Sequence, residues 1–182
     1  MLGKYTNIMI KGISSAVPSI VENNMEYANV IGERRVKKQI KITGVETRHI
    51  AGKYQRPSDL CYAAANNLIG KMSVDIDKIK IMIFITQSPN YNHPSTAFFL
   101  QKRLGLSKEC LVYDINLGCS SFNVGMQTIS ALLQNCNTSD QALLLLGDVS
   151  GKMKNFDTPF KEDDIAHGML FGAAGSAILI EK

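Results

Sequence analysis

Long hydrophobic runs are missing from this 182-residue sequence. Its most apolar stretches, Ile79 to Thr86 and Ala142 to Leu146, are strand-length and far too short to cross a bilayer. The opening Met1-Leu2-Gly3-Lys4-Tyr5 lacks the apolar core of an export signal, which predicts a reducing, cytoplasmic setting and no membrane partner. A strong charge of one sign is missing too. Lys plus Arg number 20 against 16 Asp plus Glu, a formal net charge of +4, too mild and too scattered along the sequence to argue for nucleic acid. The densest basic run, Arg34-Arg35-Val36-Lys37-Lys38, reads as the solvated face of a helix. Cys61, Cys110, Cys119 and Cys136 form no C-x-x-C pair and have no neighbouring His, which argues against zinc and reads each as a small buried hydrophobe. Internal repeats, low-complexity tracts and Pro/Gly-rich linkers are absent, so residues 1–182 read as one domain. With 45% hydrophobic and 20% charged residues, the whole is neither disordered nor a coiled coil.

What is present alternates between two periodicities. Asn7 to Ser14 predicts a strand, and Glu22 to Ile40 a helix with a break near Gly32. Pro57-Ser58-Asp59 marks a helix start, after which Leu60, Ala64, Leu68 and Met72 recur at helical spacing. Lys80 to Thr86, rich in Ile, suits a strand buried on both faces. Ser95 is the expected cap of a helix ending at Gly105. A strand over Glu109 to Ile115, a helix over Ser120 to Asn135 and strands over Gln141 to Leu146 and Gly175 to Ile180 complete the pattern. Such alternation predicts an α/β fold: a mixed, mostly parallel sheet of about five strands with helices on both faces. The last strand has no clear helix before it and is expected to run antiparallel at an edge.

The chemically informative segment is Tyr113-Asp114-Ile115-Asn116-Leu117-Gly118-Cys119-Ser120-Ser121-Phe122. A buried strand gives way to small residues, a cysteine and a helix. That order puts the sulfur at the carboxyl end of a parallel sheet, where α/β ligand sites lie. It also puts it at a helix N-terminus, whose dipole favours a thiolate. Such a thiolate attacks a thioester carbonyl while nearby N–H groups hold the oxyanion. Spacing alone does not choose between this nucleophile and an inert buried cysteine.

Thr47-Arg48-His49-Ile50-Ala51, the Asp59-Leu60 helix start, Pro94-Ser95-Thr96-Ala97, Asp114 to Phe122, Gly147-Asp148-Val149 and Leu170-Phe171-Gly172 follow one another in a fixed order. Together they resemble the N-terminal half of β-ketoacyl-acyl-carrier-protein synthase III, in the thiolase-like superfamily. The resemblance implies a thiolase-like fold with the C-terminal half absent from residues 1–182. It also implies that Cys119 takes an acyl group from a thioester, acyl-coenzyme A or acyl-carrier protein, for condensation with malonyl-carrier protein in fatty-acid or related biosynthesis. It implies no covalently bound cofactor. The partners implied are an acyl carrier protein and either a second copy or a complementary C-terminal half, which in the family supplies a His and an Asn. Without those two, this chain alone is expected not to condense.

The same resemblance assigns further positions. Lys152 stands where relatives place an Arg beside the coenzyme's adenine. Lys38 and Ile42 stand where they place a Trp and an Arg that grip coenzyme A, so a carrier protein is at least as good a donor here. His93, before Pro94, occupies the place of an apolar residue, often Phe, that enters the neighbouring subunit's acyl pocket; it faces either solvent or a polar acyl group. Ala173 replaces an Asp after the Phe-Gly pair. His49 and His167 read as structural. Two other readings share these residues: a non-catalytic thiolase-fold pairing module, and an acyl transferase or thioesterase using the same cysteine.

Overall fold

Only Lys80 is exposed in the run Ile79–Ile85. A strand covered on both faces reads as such a continuous apolar stretch, and in the computed structural model this segment lies inside a five-stranded sheet. The structure describes residues 4–91, 93–149 and 168–182. Their strands are β1 (Met9–Ala16), β2 (Ile20–Asn23), β3 (Thr47–Ile50), β4 (Ile79–Ile85), β5 (Leu111–Ile115), β6 (Gln141–Val149) and β7 (Ala173–Glu181). Their α-helices are α1 (Ala28–Ile31), α2 (Glu33–Thr43), α3 (Pro57–Met72), α4 (Thr96–Leu104) and α5 (Ser121–Leu133). The chain falls into two compact units.

The larger unit, residues 1–16, 56–148 and 175–182, carries the sheet in the order β1-β7-β6-β4-β5. β4 pairs parallel with both β5 and β6. β7 pairs antiparallel with β1, from Met9 opposite Glu181 to Ala16 opposite Gly175. Ser139 N–H donates to the Lys182 carbonyl at 2.9 Å and Lys182 N–H to the Asp140 carbonyl at 3.1 Å, which sets the start of β6 beside the end of β7. β7 therefore opposes the other four strands, and the sheet is mixed and mostly parallel as expected. It is not an edge, however: β1 adds along its outer side, a pairing between opposite ends of the chain that no local pattern announces.

Side chains leave the sheet alternately to its two faces. Met82, Phe84, Leu143, Leu145 and Leu179 pack with α3 and α4 through Cys61, Ala64, Leu68, Ala97 and Leu100. Ile81, Ile83, Ile85, Leu144 and Ile178 pack with α5 through Ile129 and Leu133. Helices thus cover both faces. Ile79 sides with Met82 because the register shifts between Ile79 and Ile81. α3 opens on Pro57, whose fixed φ suits the first helical position, and Asp59 accepts a hydrogen bond from the Arg56 N–H at 2.9 Å.

The smaller unit, residues 17–55 and 149–174, contains the antiparallel ribbon β2–β3. Its inward residues are Glu22 and Arg48, which face each other across the ribbon and form a buried ion pair. Tyr27 donates to Glu22 at 2.9 Å, and Arg48 donates to Asn24 at 3.0 Å and to the Phe171 carbonyl at 3.0 Å. Tyr27, Val36 and Met169 form a small core beside this network. α1 and α2 are separated at Gly32, whose φ of 87° breaks the helix where the sequence placed the break. Ile20–Asn23 is strand, so the helical segment starts later than Glu22. Among the described residues, no helix is long and apolar enough to cross a membrane.

Candidate functional site

β5 ends at Ile115, three residues follow, and Cys119 lies two positions before Ser121, the first residue of α5. The turn is held by Ser121 N–H donating to the Gly118 carbonyl at 2.8 Å, while Ser120 makes no side-chain cap. Cys119 is the one exposed thiol of four free cysteines; Cys61 and Cys110 are buried and Cys136 is half-buried. Burial pushes the Cys61 thiol up to about 12 against a weaker lowering by the Ser176 backbone, and the nearby Asp148 charge raises it further. Burial pushes Cys110 up to about 11. Cys136 is raised by burial and then by Asp140. Burial thus disfavours the thiolate, the reactive form, at each of these three sulfurs. The expectation of a small buried hydrophobe holds for Cys61 and Cys110 and fails for Cys119.

Two carboxylates near the carboxyl ends of β5 and β6 fix the segments that follow β4 and open α4. Asp114, on β5, accepts from Thr96 N–H at 2.7 Å and Ala97 N–H at 2.8 Å, one with each oxygen. It takes the role expected of Ser95, whose hydroxyl makes no cap bond. A carboxylate serves better there because it meets two N–H groups at the positive end of α4. Asp148, at the end of β6, accepts four hydrogen bonds on one oxygen: from the Thr86 hydroxyl at 3.0 Å, Gln87 N–H at 2.9 Å, Ser88 N–H at 3.0 Å and the Ser88 hydroxyl at 2.7 Å. The loop leaving β4 is thereby pinned at its root. Its Gln87 side-chain nitrogen lies 3.4 Å from where a Cβ on Gly118 would stand. In the sequence Asp114 and Asp148 stand within longer motifs and Gln87 opens the polar loop that runs to Pro94. Their partners lie 17 to 62 residues away, beyond any local signal.

The remaining expected positions separate. His93 is exposed, in the same loop as Gln87. His49 sits on β3, with Nδ1 2.7 Å from the Pro18 carbonyl. Lys152 and His167 lie outside the described residues.

The family description 3-oxoacyl-[acyl-carrier-protein] synthase III matches residues 113–182, from β5 through Cys119 to the end of β7. A 3-oxoacyl-(acyl-carrier protein) synthase from Burkholderia xenovorans superposes with a TM-score of 0.89 at 32% identity, over 98% of this chain and 49% of that one. The chain corresponds in sequence and fold to the N-terminal half of the 3-oxoacyl-acyl-carrier-protein synthase III family. Among relatives of that family, a Campylobacter jejuni protein is 30% identical over all of this chain and 50% of its own length. A β-ketoacyl-[acyl-carrier-protein] synthase III from Latilactobacillus sakei is 29% identical over 92% of this chain and 48% of its own. The chain spans about half the length of the curated relatives it matches, and its fold is that of a synthase III N-terminal half.

Proposed function

We propose that this chain is the nucleophile-bearing half of a synthase III-type condensing enzyme, with Cys119 as the group that accepts the acyl chain. One observation carries the reading: the single exposed thiol stands at the β5–α5 junction, within the matched segment, while burial disfavours the thiolate at the other three cysteines. The Cys119 thiolate attacks the carbonyl carbon of a thioester and a new carbon–sulfur bond forms. The donor's own carbon–sulfur bond then breaks, and the donor leaves as a thiol carrying the proton released from Cys119. N–H groups of the first turn of α5 beyond Ser121, whose own N–H is taken by the Gly118 carbonyl, receive the oxyanion of the tetrahedral intermediate.

The donor is an acyl-coenzyme A or an acyl-carrier protein, with carrier protein as the physiological partner. Condensation with malonyl-carrier protein follows when the family's second half is supplied. His93 belongs to the acyl pocket through a paired subunit, and Lys152 contacts the donor's phosphates. Met9 and Ile13 on β1 are 58% and 62% exposed, which supports pairing with a second copy.

Incubation with an acyl-N-acetylcysteamine thioester, followed by peptide mass mapping, tests the assignment. The acyl mass is expected on the Cys119 peptide alone and absent from Cys119→Ser. Acylation of Cys61 or Cys136 instead, or of no cysteine, removes the nucleophile role.

A further inference from the structure

Gln87 holds an unused carboxamide against the turn that carries Cys119. Its backbone is fixed from two sides. Thr86 N–H donates to the Ile115 carbonyl at 3.2 Å, which carries the pairing of β4 with β5 one step past β4, and Gln87 N–H donates to Asp148 at 2.9 Å. Its side-chain nitrogen then lies 3.4 Å from where a Cβ on Gly118 would stand, an ordinary van der Waals contact. α5, which follows Cys119, is held down close by. A Cβ at Gly125 would stand 2.7 Å from the Ile85 Cδ1 and 2.8 Å from the Leu144 Cδ1, so glycine lets the helix settle on β4 and β6 without moving either side chain. All of these residues belong to the larger unit. The Gln87 side chain is exposed, and among the described residues neither its nitrogen nor its oxygen has a hydrogen-bond partner.

A short acyl chain on Cys119 comes within reach of this carboxamide. Consecutive Cα atoms are about 3.8 Å apart, so the Gly118 contact puts the Gln87 nitrogen no more than about 9 Å from the Cys119 Cα. Five bonds separate that Cα from the third carbon of an acyl group on the sulfur, about 6 Å when extended, and a hydrogen bond spans about 3 Å more. An alkyl chain lying against the carboxamide takes water from its N–H and C=O groups and offers no bond in return, which costs free energy. An oxygen on the third carbon restores the bond: a hydroxyl or oxo oxygen accepts from Nε2, and a hydroxyl can also donate to Oε1. Sites that hydrogen-bond a substrate oxygen reject the analogue lacking it far more strongly than apolar pockets reject one methylene.

We propose that Gln87 is a specificity-determining residue that selects acyl groups bearing a hydrogen-bonding oxygen on the third carbon, of the 3-hydroxyacyl class, over plain alkyl acyl groups. This selection rests on the reading of Cys119 above as the acyl-accepting nucleophile; the Gln87–Gly118 contact and the unpartnered carboxamide stand without it. Gln87 forms and breaks no covalent bond in the transfer. It touches the chain beyond the carbonyl and so sets how fast one acyl group is loaded relative to another.

Two N-acetylcysteamine thioesters, butyryl and 3-hydroxybutyryl, test this in single-turnover acylation of Cys119 followed by peptide mass. The proteins are wild type, Gln87→Met, which keeps the side chain's length without its polar atoms, and Gln87→Leu. Both variants keep the backbone N–H that Asp148 holds, and circular dichroism melts show which of them is folded and supplies the result. Wild type is expected to load 3-hydroxybutyryl about tenfold faster than butyryl, and the variants to bring that ratio below about twofold. A wild-type ratio near one, or a ratio unchanged in the variants, overturns the selection. So does an equal slowing of both thioesters, which assigns the carboxamide to the carbonyl oxygen they share. If neither thioester acylates Cys119, the nucleophile reading falls, and methanethiosulfonates decide the selection separately. These form a disulfide with an exposed thiol and release methanesulfinate, so they label Cys119 whatever its role. The 2-hydroxyethyl reagent carries its hydroxyl as many bonds from the Cys119 Cα as a 3-hydroxyacyl group does, and the propyl reagent is its apolar counterpart. The hydroxyethyl-to-propyl rate ratio is expected to fall about fivefold from wild type to Gln87→Met. The same ratio in both proteins overturns the selection.

Discussion

Four cysteines of one chemical type end up in three different environments, and the surroundings alone set their behaviour. Cys61 lies on α3 in the face of the sheet shared with Met82 and Phe84, where water does not reach to solvate a thiolate. Its folded-state value of about 12 lies above the ordinary value of 9.0. In the unfolded chain the thiol ionises first, so from about pH 9 upward the unfolded state binds fewer protons and gains stability over the folded one. The contribution of Cys61 is therefore complete below that pH and declines as pH rises toward its folded value. Cys110 adds the same trend up to about 11. Chemical denaturation between pH 8 and 10.5 is expected to show falling stability, with a shallower fall in Cys61→Ala. Equal slopes for the two proteins would show that the buried thiol does not drive the alkaline loss. At the same scale sit the features hardest to read from sequence. Arg48 and Glu22 alternate with exposed neighbours, so the ribbon's buried positions are charged and its period looks inverted. Cys119, by contrast, was legible because its small neighbours and the flanking strand and helix are contiguous.

Among the elements, those with a strong local code were visible in advance. The Ile-rich β4, the Pro57 start of α3 and the Gly105 stop of α4 each follow from a few adjacent residues. Elements whose identity depends on a distant partner were not. β3 has four residues and exists through its pairing with β2, and the cap of α4 comes from Asp114 on another strand. The packing of β7 on α3 is of the second kind. A Cβ added at Gly175 would stand 2.5 Å from the Cys61 nitrogen and 2.5 Å from the Leu60 carbonyl carbon, both backbone atoms that cannot rotate away. Gly175→Ala must then move the strand or the helix, and we expect a loss of roughly 3 kcal/mol in denaturant unfolding. A change under about 0.5 kcal/mol would mean that the two backbones part at little cost.

For the molecule as a whole, the sheet, its covered faces and its strand directions followed from the alternation of strands and helices, whereas strand order did not. Order depends on which edges meet, and here β1 meets β7. The same edge predicts association: Met9 and Ile13 leave apolar area in water on a strand with one unpaired side. Light scattering at rising concentration is expected to give a mass above the 20.0 kDa of one chain, and Ile13→Lys to bring it back toward that value. A monomer at every concentration would sink this expectation.

The pairing of β1 with β7 also sets a schedule for synthesis. A ribosome delivers β1 long before its hydrogen-bonding partner, which runs from Gly175 to Glu181. β4 waits in the same way for β5 and β6, which arrive about 30 and 60 residues later. Until β7 is made, the nascent chain therefore displays a strand with no neighbour, carrying Met9, Ile10 and Ile13, which stay exposed in the folded protein. Contacts of such sequence separation are slow to form and leave edges open to other chains. Until β7 is made, the unpaired β1 is the strand most open to pairing with another chain.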